Sequence, residues 1–172
     1  MPVVKMTIMV QPAPVQSHRM GQGDQNRTSS GSERAVATTP SENLQGLNIL
    51  VVDDERDGRE LIACVLEQSG ATVYQADAPP AALAILAQHT PDVMISDIAM
   101  PGEDGYSLMR RVRALSRDEQ RHVPAIALTA FTRAVDRARA LGAGFDRHMG
   151  KPLDPLLLIR AVVDLVRERA AH

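Results

Sequence analysis

The sequence predicts an α/β domain built on a doubly wound parallel sheet, and three observations carry that prediction. Five short apolar runs alternate with five segments of helical periodicity between residues 47 and 170. The apolar runs are nearly continuous, as in strands covered on both faces. Most runs give way to polar or turn-forming residues, so the chain leaves the sheet at regular intervals. Strands that alternate with helices in this way close through right-handed crossovers, which put helices on both faces of one sheet.

The elements follow in order. Residues 47–52 form an apolar strand stopped by Asp53-Asp54, and residues 56–68 a helix with Leu61, Ile62, Val65 and Leu66 on one face. Gly70 closes that helix from the position glycine favours. Residues 72–75 form a second strand. Pro79-Pro80 opens a second helix where proline is tolerated, with Leu83, Leu86 and Ala87 facing inward. Residues 92–97 are the third strand, and residues 105–115 a helix that turns Leu108, Met109, Val112 and Leu115 inward. Residues 123–129 are the fourth strand, followed by a helix over 131–141 closed by Gly142. Residues 144–149 are a short fifth strand. Asp154-Pro155 caps and starts the last helix, which carries Leu158, Ile159, Val162, Val163 and Val166 toward the core.

Composition bounds the rest. A chain of 172 residues holds one ordinary domain with residues to spare, and residues 1–46 read as a flexible tail or linker. Gln, Ser, Thr, Pro, Gly and Asn dominate from Gln11 to Gln45, and Met1 to Val10 has the β-branched content of an isolated strand. With two Tyr, two Phe and no Trp, the core must be aliphatic. A net charge of −2 argues against a general nucleic-acid or membrane-surface binder. A single cysteine, Cys64, excludes an internal disulfide, and its apolar neighbours predict a packing role. No membrane span or signal peptide is legible, so the expected location is the cytoplasm. Arg110, Arg111, Arg113, Arg117 and Arg121, with Arg133, Arg137 and Arg139, read as solvated or partner-docking helix faces. His122 is expected at the surface without a partner.

The stretch from Asp92 to Gly105 organises the chemistry. Its strand ends on Asp97, and Pro101-Gly102 prevents extension. In an open parallel sheet, that edge is where ligands bind. Taken alone, Asp97 is either a loop cap or a reactive carboxylate. Other strand ends supply Asp53, Asp54, Thr129 and Lys151. If strands one and three are neighbours, three carboxylates converge on one crevice, an arrangement that raises their pKa values unless a cation sits among them. Hard oxygen ligands without cysteine or a placed histidine select Mg²⁺ over zinc. A nucleophilic carboxylate, a metal, a lysine and a hydroxyl together suit a phosphoryl group.

The motifs Val51-Val-Asp-Asp-Glu55, Ser96-Asp-Ile-Ala-Met-Pro-Gly102, Ala127-Leu-Thr-Ala130 and Gly150-Lys-Pro152 resemble those of response-regulator receiver domains of two-component signalling. The resemblance covers residues 47–170 and is closest in style to receivers associated with hybrid histidine kinases. It implies a flavodoxin-like fold with strand order 2-1-3-4-5. It implies Asp97 as phospho-acceptor and Mg²⁺ held by Asp53, Asp54, Asp97 and the Ala99 backbone carbonyl. It further implies Thr129 as switch hydroxyl, Lys151 as the phosphoryl-pairing cation and a cis peptide between Lys151 and Pro152. The family's aromatic switch position falls on His148, a departure from its usual Tyr or Phe.

The implied partners are a sensor histidine kinase or histidine phosphotransfer protein, and a downstream protein docked on the face of the fourth helix, fifth strand and fifth helix. No DNA-binding or membrane module is expected. On this reading the chain is a self-catalysing phosphotransfer switch and not a turnover enzyme. Two alternatives stay open: the C-terminal receiver of a hybrid histidine kinase, and a Mg²⁺-dependent phosphatase acting through an aspartyl phosphate.

Overall fold

The structure, a computed structural model, describes residues 43–115, 122–130 and 133–171. Five strands, β1 (Asn48–Val52), β2 (Thr72–Ala76), β3 (Val93–Asp97), β4 (Ala125–Thr129) and β5 (Arg147–Gly150), alternate with five helices. The helices are α1 (Arg56–Gln68), α2 (Pro79–Gln88), α3 (Gly105–Leu115), α4 (Ala134–Ala143) and α5 (Pro155–Ala170). All strand pairs are parallel, in the order β2-β1-β3-β4-β5. This is the flavodoxin-like arrangement expected above.

The period-two alternation of the strands divides the core in two. Leu50, Val52, Met94, Ala125 and Ala127 pack toward α2, α3 and α4. Ile49, Val51, Val93, Ile95, Ile126 and Leu128 pack toward α1 and α5. Burial on both faces is why these strands read as continuous apolar runs. The register pairs Val52 with Ser96, so the residues that follow, Asp53 and Asp97, emerge side by side at the carboxyl edge. The same edge receives Thr129 opposite Gly150, one residue before Lys151.

Several local expectations change. The fourth helix starts at Ala134 and runs through Gly142, ending at Gly144 in the left-handed conformation (φ 107°). Glycine at 144 is required twice, since a Cβ there would also lie 2.8 Å from Arg113 Cγ. The fifth strand accordingly begins at Arg147. Leu61 and Leu115 are exposed, 66% and 72%, and Ala87 is exposed as well. Ala63, Ala82 and Leu165 take buried positions instead. Cys64 is exposed on α1 and not a packing residue. Small residues fit where helices approach the sheet closely, and this displaced the face assignments by one position on α1. Gly70 (φ 97°) follows α1, and Asp154 caps α5 by accepting from the N–H groups of Leu156 and Leu157, both as read from the sequence.

The packed domain reaches back to Leu44, which is fully buried with the α1/α5 core and donates its N–H to the Ser69 carbonyl at 2.8 Å. The expected strand over residues 1–10, most of the tail, Arg117, Arg121 and Phe131 lie outside the described residues. Arg113 is not a solvated charge. It donates to the carbonyls of Gly144 (2.7 and 2.9 Å) and Val123 (2.8 Å) and pairs with Asp146 at 3.0 Å. Asp146 also accepts from the Ala125 N–H at 2.8 Å and contacts His122 at 3.2 Å, so His122 has a partner. This cluster ties α3 to the start of β4 and to the turn before β5. Among the described residues, no helix is long and apolar enough to cross a membrane.

Candidate functional site

The carboxyl ends of β1, β3, β4 and β5 converge on a polar crevice. Asp53 is fully buried, Asp97 nearly so, and Asp54 is exposed at the rim. One carboxylate oxygen from each lies within 4.8 Å of the others. Lys151 reaches between them, with Nζ 3.0 Å from Asp53 Oδ2 and 3.2 Å from Asp97 Oδ2. Burial of the ammonium alone would lower its pKa. The hydrogen bond and charge of Asp53, joined by the Asp97 charge, outweigh that and hold Lys151 above the ordinary lysine value.

The Asp53 and Asp97 carboxylates are oriented by backbone. Asp53 Oδ1 accepts from the Glu55 N–H at 2.9 Å, which leaves Oδ2 for Lys151. Asp97 Oδ1 accepts from the Ile98 N–H at 2.8 Å and the Ala99 N–H at 3.4 Å, which leaves Oδ2 facing the crevice with Lys151. Thr129 is buried at the end of β4. The Lys151–Pro152 peptide is cis. The donor set fits a hard divalent cation: three carboxylates, no soft ligand, and an arrangement of like charges that one lysine only partly offsets.

His148 stands apart from this cluster. It lies on β5 opposite Ala127 and is half-buried, and its Nε2 is buried with no hydrogen-bond partner among the described residues. Three residues that shape the site carried weaker sequence signals or none. Gly105 starts α3 where a Cβ would lie 2.3 Å from the Asp97 carbonyl oxygen, so only glycine lets the helix approach the end of β3. The turn Pro101-Gly-Glu-Asp-Gly105 hints at it. Asp104 caps α3 by accepting from the Ser107 N–H at 2.8 Å. Arg59, on α1, donates Nη1 to the Asp53 carbonyl at 2.5 Å. Nothing in its spacing from Asp53 singled it out.

Beside the crevice runs an apolar groove of about 240 Å³. Leu61, Ile62 and Val65 of α1 line it together with Pro152, Leu153 and Leu158, and Asp53 and Lys151 belong to the same lining.

A strand-end acidic cluster with a lysine, on a doubly wound sheet of this order, is the layout of a phosphorylation-controlled receiver. The family profile of the response regulator receiver domain matches residues 49–163. The chain belongs to that family. It is 47% identical over 119 residues to an uncharacterised 14.6 kDa protein of Leptolyngbya boryana, covering 69% of this chain and 89% of that protein. It is 37% identical to the virulence sensor protein BvgS of Bordetella pertussis, covering 78% of this chain but 10% of that sensor. Among solved structures, the receiver domain of the Francisella response regulator 1452 superposes with a TM-score of 0.66 at 27% identity, covering 71% of this chain and 98% of that one. The protein therefore carries a receiver domain of two-component signalling, a class whose partners are histidine kinases or phosphotransfer proteins.

Proposed function

We propose that Asp97 accepts a phosphoryl group from a phospho-histidine on a sensor kinase or histidine phosphotransfer protein, with Mg²⁺ bound by Asp53, Asp54 and Asp97. The observation that carries this reading is Lys151 Nζ set between Asp53 and Asp97, at 3.0 and 3.2 Å. Lys151 fixes a cation on the side of Asp97 where a transferred group would sit. In the reaction an Asp97 oxygen attacks phosphorus, the P–N bond to the donor imidazole breaks, and the imidazole nitrogen takes a proton from solvent. Backbone N–H groups on Oδ1 leave Oδ2 as the attacking atom. The chain's main contribution is positioning and charge neutralisation, the terms that dominate phosphoryl transfer. A bound divalent cation adds positive charge against the oxygens of the transferring group.

Hydrolysis by water at the same phosphorus returns the domain to its starting state, so the protein acts as a self-resetting switch. The groove along α1 supports a docking place for the donor, because apolar surface there borders Lys151 and Asp53 directly. The α4–β5–α5 face supports the output. Helix α4 buries only Ala140 and Ala143, whereas α5 buries four larger side chains, so α4 is the more easily displaced. Thr129, at the end of the strand that leads to α4, and His148 on β5 are the residues through which a phosphoryl group on Asp97 would bias that face. Residues 44–170 constitute the receiver on this reading, with the residues before Leu44 a linker. The likeness to one-tenth of a sensor protein favours a second version, in which this receiver serves a hybrid kinase.

The test is transfer from a phosphorylated histidine phosphotransfer protein, with and without Mg²⁺. Label should appear on this chain only with the cation. Transfer that is indifferent to chelation would overturn the metal assignment.

A further inference from the structure

We infer that Arg59 is a positioning residue for the metal site and acts on Asp54 through the Asp53–Asp54 peptide. This rests on the proposed role of Asp53, Asp54 and Asp97 as cation ligands.

Asp53 is tethered at four atoms. Its N–H donates to the Ala76 carbonyl at 3.1 Å, Oδ1 accepts from Glu55, Oδ2 accepts from Lys151, and its carbonyl accepts from Arg59. The carbonyl lies one residue beyond the last β1–β2 and β1–β3 register pairs, so the sheet does not continue to it. A buried carbonyl without a partner costs about 1–3 kcal/mol, and the Nη1 of Arg59 removes that cost from one turn into α1.

Asp54 is different. Its carboxylate is exposed and, among the described residues, makes no hydrogen bond or ion pair. Its position relative to Asp53 and Asp97 is therefore set by the backbone alone. The Asp53 carbonyl and the Asp54 N–H share one peptide plane. Rotation of that plane swings the Asp54 Cα–Cβ bond and moves its carboxylate relative to the other two. Arg59 holds the plane by the oxygen.

The sign of the effect separates this role from simple electrostatics. A guanidinium bound to the Asp53 carbonyl adds positive charge beside the acidic cluster and opposes binding of a second cation, so loss of its charge alone would tighten Mg²⁺ binding. Loss of its hold on the peptide would weaken binding. The experiment is calorimetric titration of Mg²⁺ into the wild type, Arg59→Met, Arg59→Lys and Arg56→Ala. Methionine keeps the aliphatic stem and removes the donors. Lysine restores one donor and the charge. Arg56 sits on the same helix in an exposed pair with Glu60 and serves as control.

Arg59→Met should weaken Mg²⁺ binding about tenfold, the lower range for groups that hold a metal ligand in place. Arg59→Lys should recover to within about threefold of wild type, and Arg56→Ala should bind as wild type does. In ¹⁵N spectra without metal, Arg59→Met should shift the Asp54 amide. Unchanged or tighter binding by Arg59→Met overturns the inference. Should Arg59→Met not fold, Arg59→Lys decides: binding weakened by more than about tenfold also overturns it. Failure of the wild type to bind Mg²⁺ would instead overturn the metal reading on which the inference stands.

Discussion

Replacing Lys151 by methionine removes the cation between two buried carboxylates. Its Nζ lies 3.0 Å from Asp53 and 3.2 Å from Asp97, and its side chain is 28% exposed. At an effective dielectric constant near 20, each contact carries about 5 kcal/mol of gross attraction. Desolvation cancels much of this, and deletion of one partner from a buried pair costs about 3–5 kcal/mol. Partial exposure places Lys151→Met at the low end, about 3 kcal/mol, equivalent to a fall in Tm of about 10 °C for a domain of this size. Urea denaturation followed by circular dichroism measures the difference. Added Mg²⁺ should narrow it by supplying charge to the same carboxylates.

The pH dependence has a fixed sign. A lysine with a raised pKa contributes its full stabilisation below the unfolded value of about 10.4, and the contribution disappears as pH rises through the folded value. The gap between wild type and variant should stay constant from neutral pH to about pH 10 and close above it. Lys5 and Lys151 are the chain's only lysines, so few other groups titrate there. A gap below about 0.5 kcal/mol, the value of an exposed pair, would refute the reasoning. So would a gap that persists undiminished at about pH 12.

Other perturbations test the surrounding frame. Gly142→Ala should stabilise by about 0.5–1 kcal/mol, because Gly142 lies within α4 with open space around its Cβ position. Gly144→Ala should destabilise by more than about 1 kcal/mol through positive φ and the Arg113 contact, and denaturant midpoints report both signs. Asp146→Ala should cost about 2 kcal/mol, since it strips Arg113 and the Ala125 N–H of an acceptor. Leu44→Ala should cost about 2–3 kcal/mol, while Leu115→Ala at an exposed position should stay within about 0.5 kcal/mol; thermal unfolding distinguishes them.

The sheet was legible because burial on both faces leaves an unbroken apolar signature, and β1, β3 and β4 show it plainly. The residues at the strand ends were legible because Asp53, Asp97 and Thr129 each interrupt such a signature at its carboxyl end, while Lys151 follows the mixed strand β5 and is legible through the Gly150-Lys-Pro152 motif. Helix faces were less so. A leucine at the correct period, as at 61, does not reveal that a smaller neighbour, Ala63, takes the buried place, and Leu115 is exposed at the last residue of α3. The end of α4 was misplaced because Gly142 and Gly144 are equally good terminators in sequence, and only the packing against Arg113 selects the second. The polar clasp of Arg113, Asp146 and His122 joins residues far apart in sequence, and local pattern holds no trace of such pairing. The same holds for Arg59, whose function depends on the turn after β1 bringing a carbonyl under the helix.

The central claim is that Asp97 is the phospho-acceptor. Its most direct test is incubation of the wild type and Asp97→Asn with Mg²⁺ and a small acyl-phosphate donor, followed by intact-mass measurement. The wild type should gain one labile phosphoryl group, mapped to the peptide that contains Asp97, and the variant none. Equal labelling of both proteins would contradict the assignment.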